Sequence, residues 1–119
     1  MDAIWSLQSE VMKILASPRR LEILHLLADE PKEVGRLADE MGISQPNVSQ
    51  HLAVMRAAGI VEAERDGREV RYRLTDLDVI AACDLMRGVL IRRLARLGEL
   101  SEISQPAEGQ ALAAASRAG

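Results

Sequence analysis

Gly42-Ile43-Ser44-Gln45-Pro46-Asn47-Val48-Ser49-Gln50-His51-Leu52-Ala53-Val54-Met55-Arg56-Ala57-Ala58-Gly59 decides the fold of this 119-residue chain. Gly42 can take the left-handed conformation that ends a helix, and Ser44 can cap the next one by accepting from a free first-turn amide. Pro46 falls in the first turn, where its missing N–H is no loss, and Gly59 supplies the next stop. At about 100° per residue, Val48, Leu52 and Met55 share a narrow stripe, while Pro46, Asn47, Ser49, Gln50, Ala53, Val54 and Ala57 cover the opposite side. The spacing predicts a helix with one packed face and one outward face. Glu33 to Met41 predicts a shorter helix before it, and Gly42-Ile43 the turn between them, which makes a helix-turn-helix.

The outward face carries amides and hydroxyls in its first two turns where a surface helix usually carries Lys and Glu. Asn and Gln can make paired hydrogen bonds to an adenine edge in the major groove, and Ser can donate or accept beside them. The segment reads as a recognition helix. An ordinary surface helix, whose small polar residues only reflect capping, is the alternative that the flanking segments must decide.

Composition sets the frame. One domain with one modest core is expected at this length. Hydrophobic residues make up 48% and charged residues 28%, with one Trp, one Tyr and no Phe. Leu, Ile, Val, Met and Ala must fill the core, which suits packed helices better than a large sheet. No apolar run reaches the roughly 18 residues of a membrane span, and no leader pattern opens the chain, so a cytoplasmic protein without a membrane partner is expected. A net charge of −3 permits nucleic-acid binding only if basic residues gather locally, because phosphate contacts are local and salt screens distant acids.

Residues 3 to 16 fit an amphipathic helix with Ile4, Trp5, Leu7, Val11, Met12, Ile14 and Leu15 on one side. Ser17-Pro18 is a cap followed by a first-turn proline, and Leu21, Ile23, Leu24, Leu26 and Leu27 make the helix to about Asp29 mostly buried. His25 on that helix reads as a packed or rim histidine. After Glu30-Pro31, Lys32 to Met41 turns Val34, Leu37, Ala38 and Met41 inward, and Gly35 there suggests close approach of a neighbouring backbone. Ile60 to Glu64 and Glu69 to Leu74 read as strands around Arg65-Asp66-Gly67-Arg68, a hairpin signal that makes a β-wing. Glu62, Glu64, Asp66 and Glu69 make the segment neutral overall, but alternation puts Val70, Tyr72 and Leu74 opposite Arg71 and Arg73, so positive charge is expected on one side of the wing, with a solvated, charge-balanced hairpin as the alternative.

Thr75-Asp76 can cap a last helix from about Leu77 to Gly98, extending toward Ile103. Its apolar residues span an arc of about 200°, broader than the stripe of a helix with one buried face. A second copy of the chain is the natural partner, with Ile4, Trp5, Leu7 and Val11 of the first helix and Met86, Leu90, Leu94 and Leu97 of the last at a twofold interface. Residues 1–103 form the expected DNA-binding and dimerisation domain. From Ser104 onward the composition predicts a disordered tail, residues 104–119.

Leu15-Ala16-Ser17-Pro18-Arg19-Arg20-Leu21-Glu22-Ile23-Leu24, Ser44 to Leu52, Ala58-Gly59-Ile60-Val61 and Gly67 to Leu74 together resemble the ArsR (ArsR/SmtB) family of winged helix-turn-helix repressors, over roughly residues 10 to 97. The resemblance implies a mainly α fold with a small β-hairpin in the order α-α-α-α-β-β-α, dimerising through the first and last helices. It implies repression from a near-palindromic double-stranded DNA operator until an effector binds. Ser44, Gln45, Asn47, Ser49 and Gln50 would face bases or adjacent phosphates, with Gln45, Asn47 and Gln50 setting specificity. His51 would meet a phosphate, and wing arginines Arg65, Arg68 and Arg71 the flanking backbone or minor groove.

The sensing side departs from familiar relatives. The helix from Lys32 to Met41 has no Cys or His, and on the last helix Asp76, Asp78 and Asp84 are followed by no His. Soft-metal coordination wants several S or N ligands, so neither familiar metal site, and no other cofactor, is expected. Cys83 is alone in the chain. It shares the apolar face of Met86 and Leu90, which reads as a core cysteine, with a redox switch against its twofold mate as the sharper alternative. No nucleophile stands with a His and Asp at recognisable spacing, and no glycine loop could cradle phosphate, so the chain does not read as an enzyme. The competing class is a winged-helix module that binds protein through an acidic surface.

Overall fold

The computed structural model describes residues 2–98, so the expected tail and the extension toward Ile103 lie outside the described residues. The chain divides into two compact units, Met1–Ile80 and Ala81–Gly119. The elements are α1 (Asp2–Leu15), α2 (Pro18–Leu26), α3 (Val34–Met41), α4 (Gln45–Ala57), β1 (Val61–Asp66), β2 (Glu69–Leu74) and α5 (Asp78–Arg96). The fold is mainly α with one antiparallel hairpin, in the order expected.

Local chemistry accounts for the boundaries. Ser17 Oγ accepts from the Arg20 amide at 3.3 Å and Ser44 Oγ from the Asn47 amide at 3.3 Å, and each cap is followed by a proline in the first turn. Each such cap is worth about 1 kcal/mol. Gly42 ends α3 at φ 68°, its N–H bonding Ala38 O at 2.8 Å. That left-handed backbone would strain any residue with a Cβ. Thr75 does not cap α5: its hydroxyl donates to Gly59 O at 2.6 Å and closes the base of the wing, while Asp76 Oδ1 accepts from the Asp78 amide at 2.9 Å.

The core of the first unit is made by Ile23, Leu24 and Leu27 of α2 and its end, Leu37, Ala38 and Met41 of α3, Val48, Leu52 and Met55 of α4, and Ile60, Val61, Leu74 and Ile80. Among the described residues no aromatic ring is fully buried, and Tyr72 is half-buried on its edge strand. Leu21, expected inside, is partly exposed, and His25 is exposed, which leaves the rim and not the packed alternative. Helix α2 stops at Leu26, short of Asp29: the Leu27 amide makes a last helical bond to Ile23 O at 3.0 Å, and the Ala28 amide then tightens to His25 O at 3.2 Å.

Lys32, expected on a helix, is strand-like. Its N–H donates to Tyr72 O at 3.0 Å and its carbonyl accepts from Tyr72 N–H at 2.8 Å, which ties the start of α3 to the wing. The side chain is 7% exposed and its ammonium meets Glu40 at 3.1 Å. That hydrogen bond is the main reason the Glu40 carboxyl lies below its ordinary value, with Arg36 adding to it. A depressed carboxylate stabilises the fold above its unfolded pKa, and the contribution is lost as pH falls through the folded value. Glu40→Gln should therefore lower the unfolding midpoint near neutral pH, and the difference from wild type should shrink in acid. Urea titrations at several pH values check this, and a difference that does not shrink would rule the pair out as the cause.

Candidate nucleic-acid interface

Helix α4 presents what its sequence spells. Val48, Leu52 and Met55 are buried, and Ser44, Gln45, Asn47, Ser49, Gln50, Ala53 and Val54 are exposed. Among the described residues, the side chains of Asn47, Ser49 and Gln50 accept and donate no hydrogen bonds. They are polar groups held on a capped helix with their bonding capacity unused. Gln45 lies over α3, where a Cβ on Gly35 would stand 3.4 Å from its Nε2. The close neighbour that Gly35 accommodates is thus a side chain, where a backbone was expected.

His51 is half-buried at the edge of this face, and its Nδ1 accepts from Arg20 Nε at 3.2 Å. Burial, and then the charges of Arg20 and Arg19, hold its pKa below the ordinary histidine value. An imidazole whose Nδ1 accepts and which is neutral carries its proton on Nε2, where it can serve as a donor.

The wing has a two-residue turn, Gly67-Arg68, with Asp66 opposite Glu69. Gly67 takes φ 64° at the first central position, as a tight hairpin turn demands. The register places Glu62 against Arg73 and Glu64 against Arg71. One face is therefore a ladder of opposite charges: Arg73 pairs with Glu62 and Glu64, and Arg71 with Glu69 at 2.8 Å. The one-sided positive charge expected from alternation is compensated there by acids on the same face. Arg65 sits opposite Val70 on the other face and Arg68 in the turn, and neither forms a salt bridge among the described residues. Arg65 and Arg68 thus leave unpaired positive charge near the wing tip, beside the carboxylate of Asp66.

On α1, Ile4, Trp5 and Leu7 are exposed, with Trp5 at 62%, and Val11 is half-buried. On α5, Met86, Leu90 and Leu97 are exposed and Leu94 is half-buried. Cys83 is half-buried, and burial pushes its thiol above the ordinary value, away from the thiolate that redox chemistry uses. Among the described residues, no group of three or more His, Cys, Asp and Glu side chains could hold a metal ion. None of the described helices is long and apolar enough to cross a membrane.

A glycine-closed turn, a capped helix with an uncharged polar face and a hairpin with arginines at its tip define a winged helix-turn-helix protein of the DNA-binding class. Residues 17–63 match the family described as bacterial regulatory protein, arsR family. The HTH-type transcriptional regulator Rv0081 of Mycobacterium tuberculosis is 37% identical over 94 residues, covering 78% of this chain and 82% of that protein. The chain belongs to the ArsR family of transcriptional regulators, and its relatives are regulators, not enzymes. The crystal structure of Rv0081 superposes with a TM-score of 0.70 over 78% of this chain and 94% of that one. The homodimeric winged helix-turn-helix DNA-binding domain of Mb0332 from Mycobacterium bovis gives a TM-score of 0.73 at 33% identity, over 80% of this chain and 88% of that one. The transcriptional repressor SmtB of M. tuberculosis is 46% identical over 67 residues, 56% of this chain and 50% of that protein.

Proposed function

We propose that two copies of this chain bind a near-palindromic operator as a homodimeric repressor in the cytoplasm, released by an effector other than a metal at the family's familiar sites. The observation that carries the reading is the outer face of α4, where Asn47, Ser49 and Gln50 are exposed and unbonded on a helix whose start is fixed by Ser44. Gln45, Asn47 and Gln50 read base edges, and Ser44, Ser49 and His51 meet bases or adjacent phosphates. Arg65 and Arg68 reach the flanking backbone or minor groove, with Arg71 beside them once Glu69 yields it. The dimer is supported by the exposed apolar residues of α1 and α5 and by the homodimeric Mb0332 domain. In a twofold dimer the recognition helices would enter successive major grooves about 34 Å apart. Repression is the activity of the relative SmtB. Cys83 is a core residue in this reading.

Fluorescence anisotropy with DNA from the chain's own promoter and with scrambled DNA tests it. Gln50→Ala should lower specific affinity by about tenfold or more while random affinity changes little, since a base contact is worth about 1–3 kcal/mol. Arg68→Ala should weaken both and reduce the slope of affinity against salt by about one phosphate contact. Equal loss on both DNAs for Gln50→Ala would remove the base-reading assignment. Salt-insensitive or absent DNA binding would return the chain to the protein-binding class.

A further inference from the structure

We propose that Arg20 is a positioning residue for DNA reading, joining the recognition helix α4 to the end of α1 through His51. The inference rests on the DNA-binding reading above.

One guanidinium makes both connections. Arg20 Nε donates to His51 Nδ1 at 3.2 Å and Nη1 donates to the carbonyl of Ile14 at 2.7 Å, while the Arg20 amide is held by Ser17 Oγ at 3.3 Å. The Ile14 carbonyl lies in the last turn of α1, and the residue four places on is Pro18, which has no N–H to offer it. The Arg20 side chain supplies the missing donor. The short, charge-assisted bond to that carbonyl anchors the guanidinium, and the anchored guanidinium then fixes His51.

The second bond orients as well as attaches. Arginine can only donate, so His51 must accept at Nδ1, and its remaining proton sits on Nε2. Arg20 and Arg19 from α2 are the charged groups that bear on this imidazole, and both oppose its protonation. His51 adjoins Gln50 and lies one helical turn beyond Asn47. The other contacts of α4 with the core are made by Val48, Leu52 and Met55, whose apolar attraction is non-directional. A hydrogen bond with a narrow angular range at the rim limits rotation of the helix about its axis. It therefore sets where the amides of Asn47 and Gln50 meet the groove.

The test uses the full chain with Arg20→Met, which keeps the stem and removes the donors, and His51→Gln, which keeps one acceptor and one donor without titrating. Arg20→Met should lower affinity for the selected DNA by about tenfold and leave random DNA nearly unchanged. His51→Gln, which still offers Arg20 an acceptor, should keep more of the preference for the selected DNA than His51→Ala, which offers none. Nitrogen-15 NMR of the imidazoles should show wild-type His51 as the Nε2–H tautomer titrating below free histidine, and Arg20→Met should abolish the tautomer preference and lessen the lowering, part of which burial and Arg19 retain. Equal loss on both DNAs would make Arg20 a simple phosphate cation and overturn the proposal, as would a wild-type His51 protonated at Nδ1 near neutral pH. If Arg20→Met does not fold, as judged by circular dichroism, the wild-type tautomer and the affinities of the two His51 variants decide. A wild-type chain that selects no DNA would sink the underlying reading, and the tautomer would still report whether the Arg20 contact exists.

Discussion

Leu52→Ala should destabilise the protein by about 3 kcal/mol, within the range for emptying a buried leucine site. Leu52 is 0% exposed at the middle of the inner stripe of α4, between Val48 and Met55, both also fully buried. Its buried neighbours are branched aliphatic side chains with Met41 and Met55, and the flexible methionines can fill only part of the void. A loss of this size is a large fraction of the roughly 5–15 kcal/mol that holds a small protein together. Urea unfolding at one fixed protein concentration measures it, fixed because an associating chain gains apparent stability with concentration. Val54→Ala, two residues on and partly exposed, is the control and should change stability by under about 1 kcal/mol. If Leu52→Ala cost no more than that control, α4 would not be packed as described.

A carboxylate at either apolar helix should split the dimer. Trp5→Glu and Leu90→Glu are each expected to turn a dimeric species into a monomer by sedimentation, and to lower affinity for the proposed palindromic site by about a hundredfold or more. The second half of such a site is bound intramolecularly in the dimer, at an effective concentration in the millimolar range that the monomer forfeits. Trp5 is 62% and Leu90 51% exposed in the single chain, so neither substitution empties its core, and each monomer should remain folded by circular dichroism. A buried unpaired carboxylate costs several kcal/mol, and a twofold contact would bury it twice. Variants that still sediment as dimers would exclude α1 and α5 as the contact.

How far these features could be read from the residues follows from how local their causes are. Ser17-Pro18, Ser44 with Pro46, Gly42 and Gly59 act within one turn of chain, and the structure places their helix ends within a few residues of expectation. The inner stripe of α4 depends only on helical spacing and was equally legible. Lys32 was not, because what takes it out of the helix is a strand-like bridge to Tyr72, forty residues away. The wing charges show the same limit. Alternation assigned Arg71 and Arg73 to one face, but only the register, set by a turn at Gly67-Arg68 with Asp66 drawn into the strand, reveals the acids placed against them. The link from Arg20 to His51 spans 31 residues and leaves no periodic trace. Its one local clue is Pro18, which deprives Ile14 of its helical donor.

The bridge between Lys32 and Tyr72 also bears on how the protein avoids its own kind. A two-stranded hairpin has two raw edges, each a template on which another chain's strand can grow. On β2 the middle of that edge is already occupied, because both main-chain groups of Tyr72 are spent on Lys32. The opposite edge, β1, carries Glu62, Glu64, Arg65 and Asp66 in a row of five residues, and an incoming strand would have to bring matching charges at each position. One edge is sealed and the other is guarded by charge, so self-association is steered away from the wing and toward the helices.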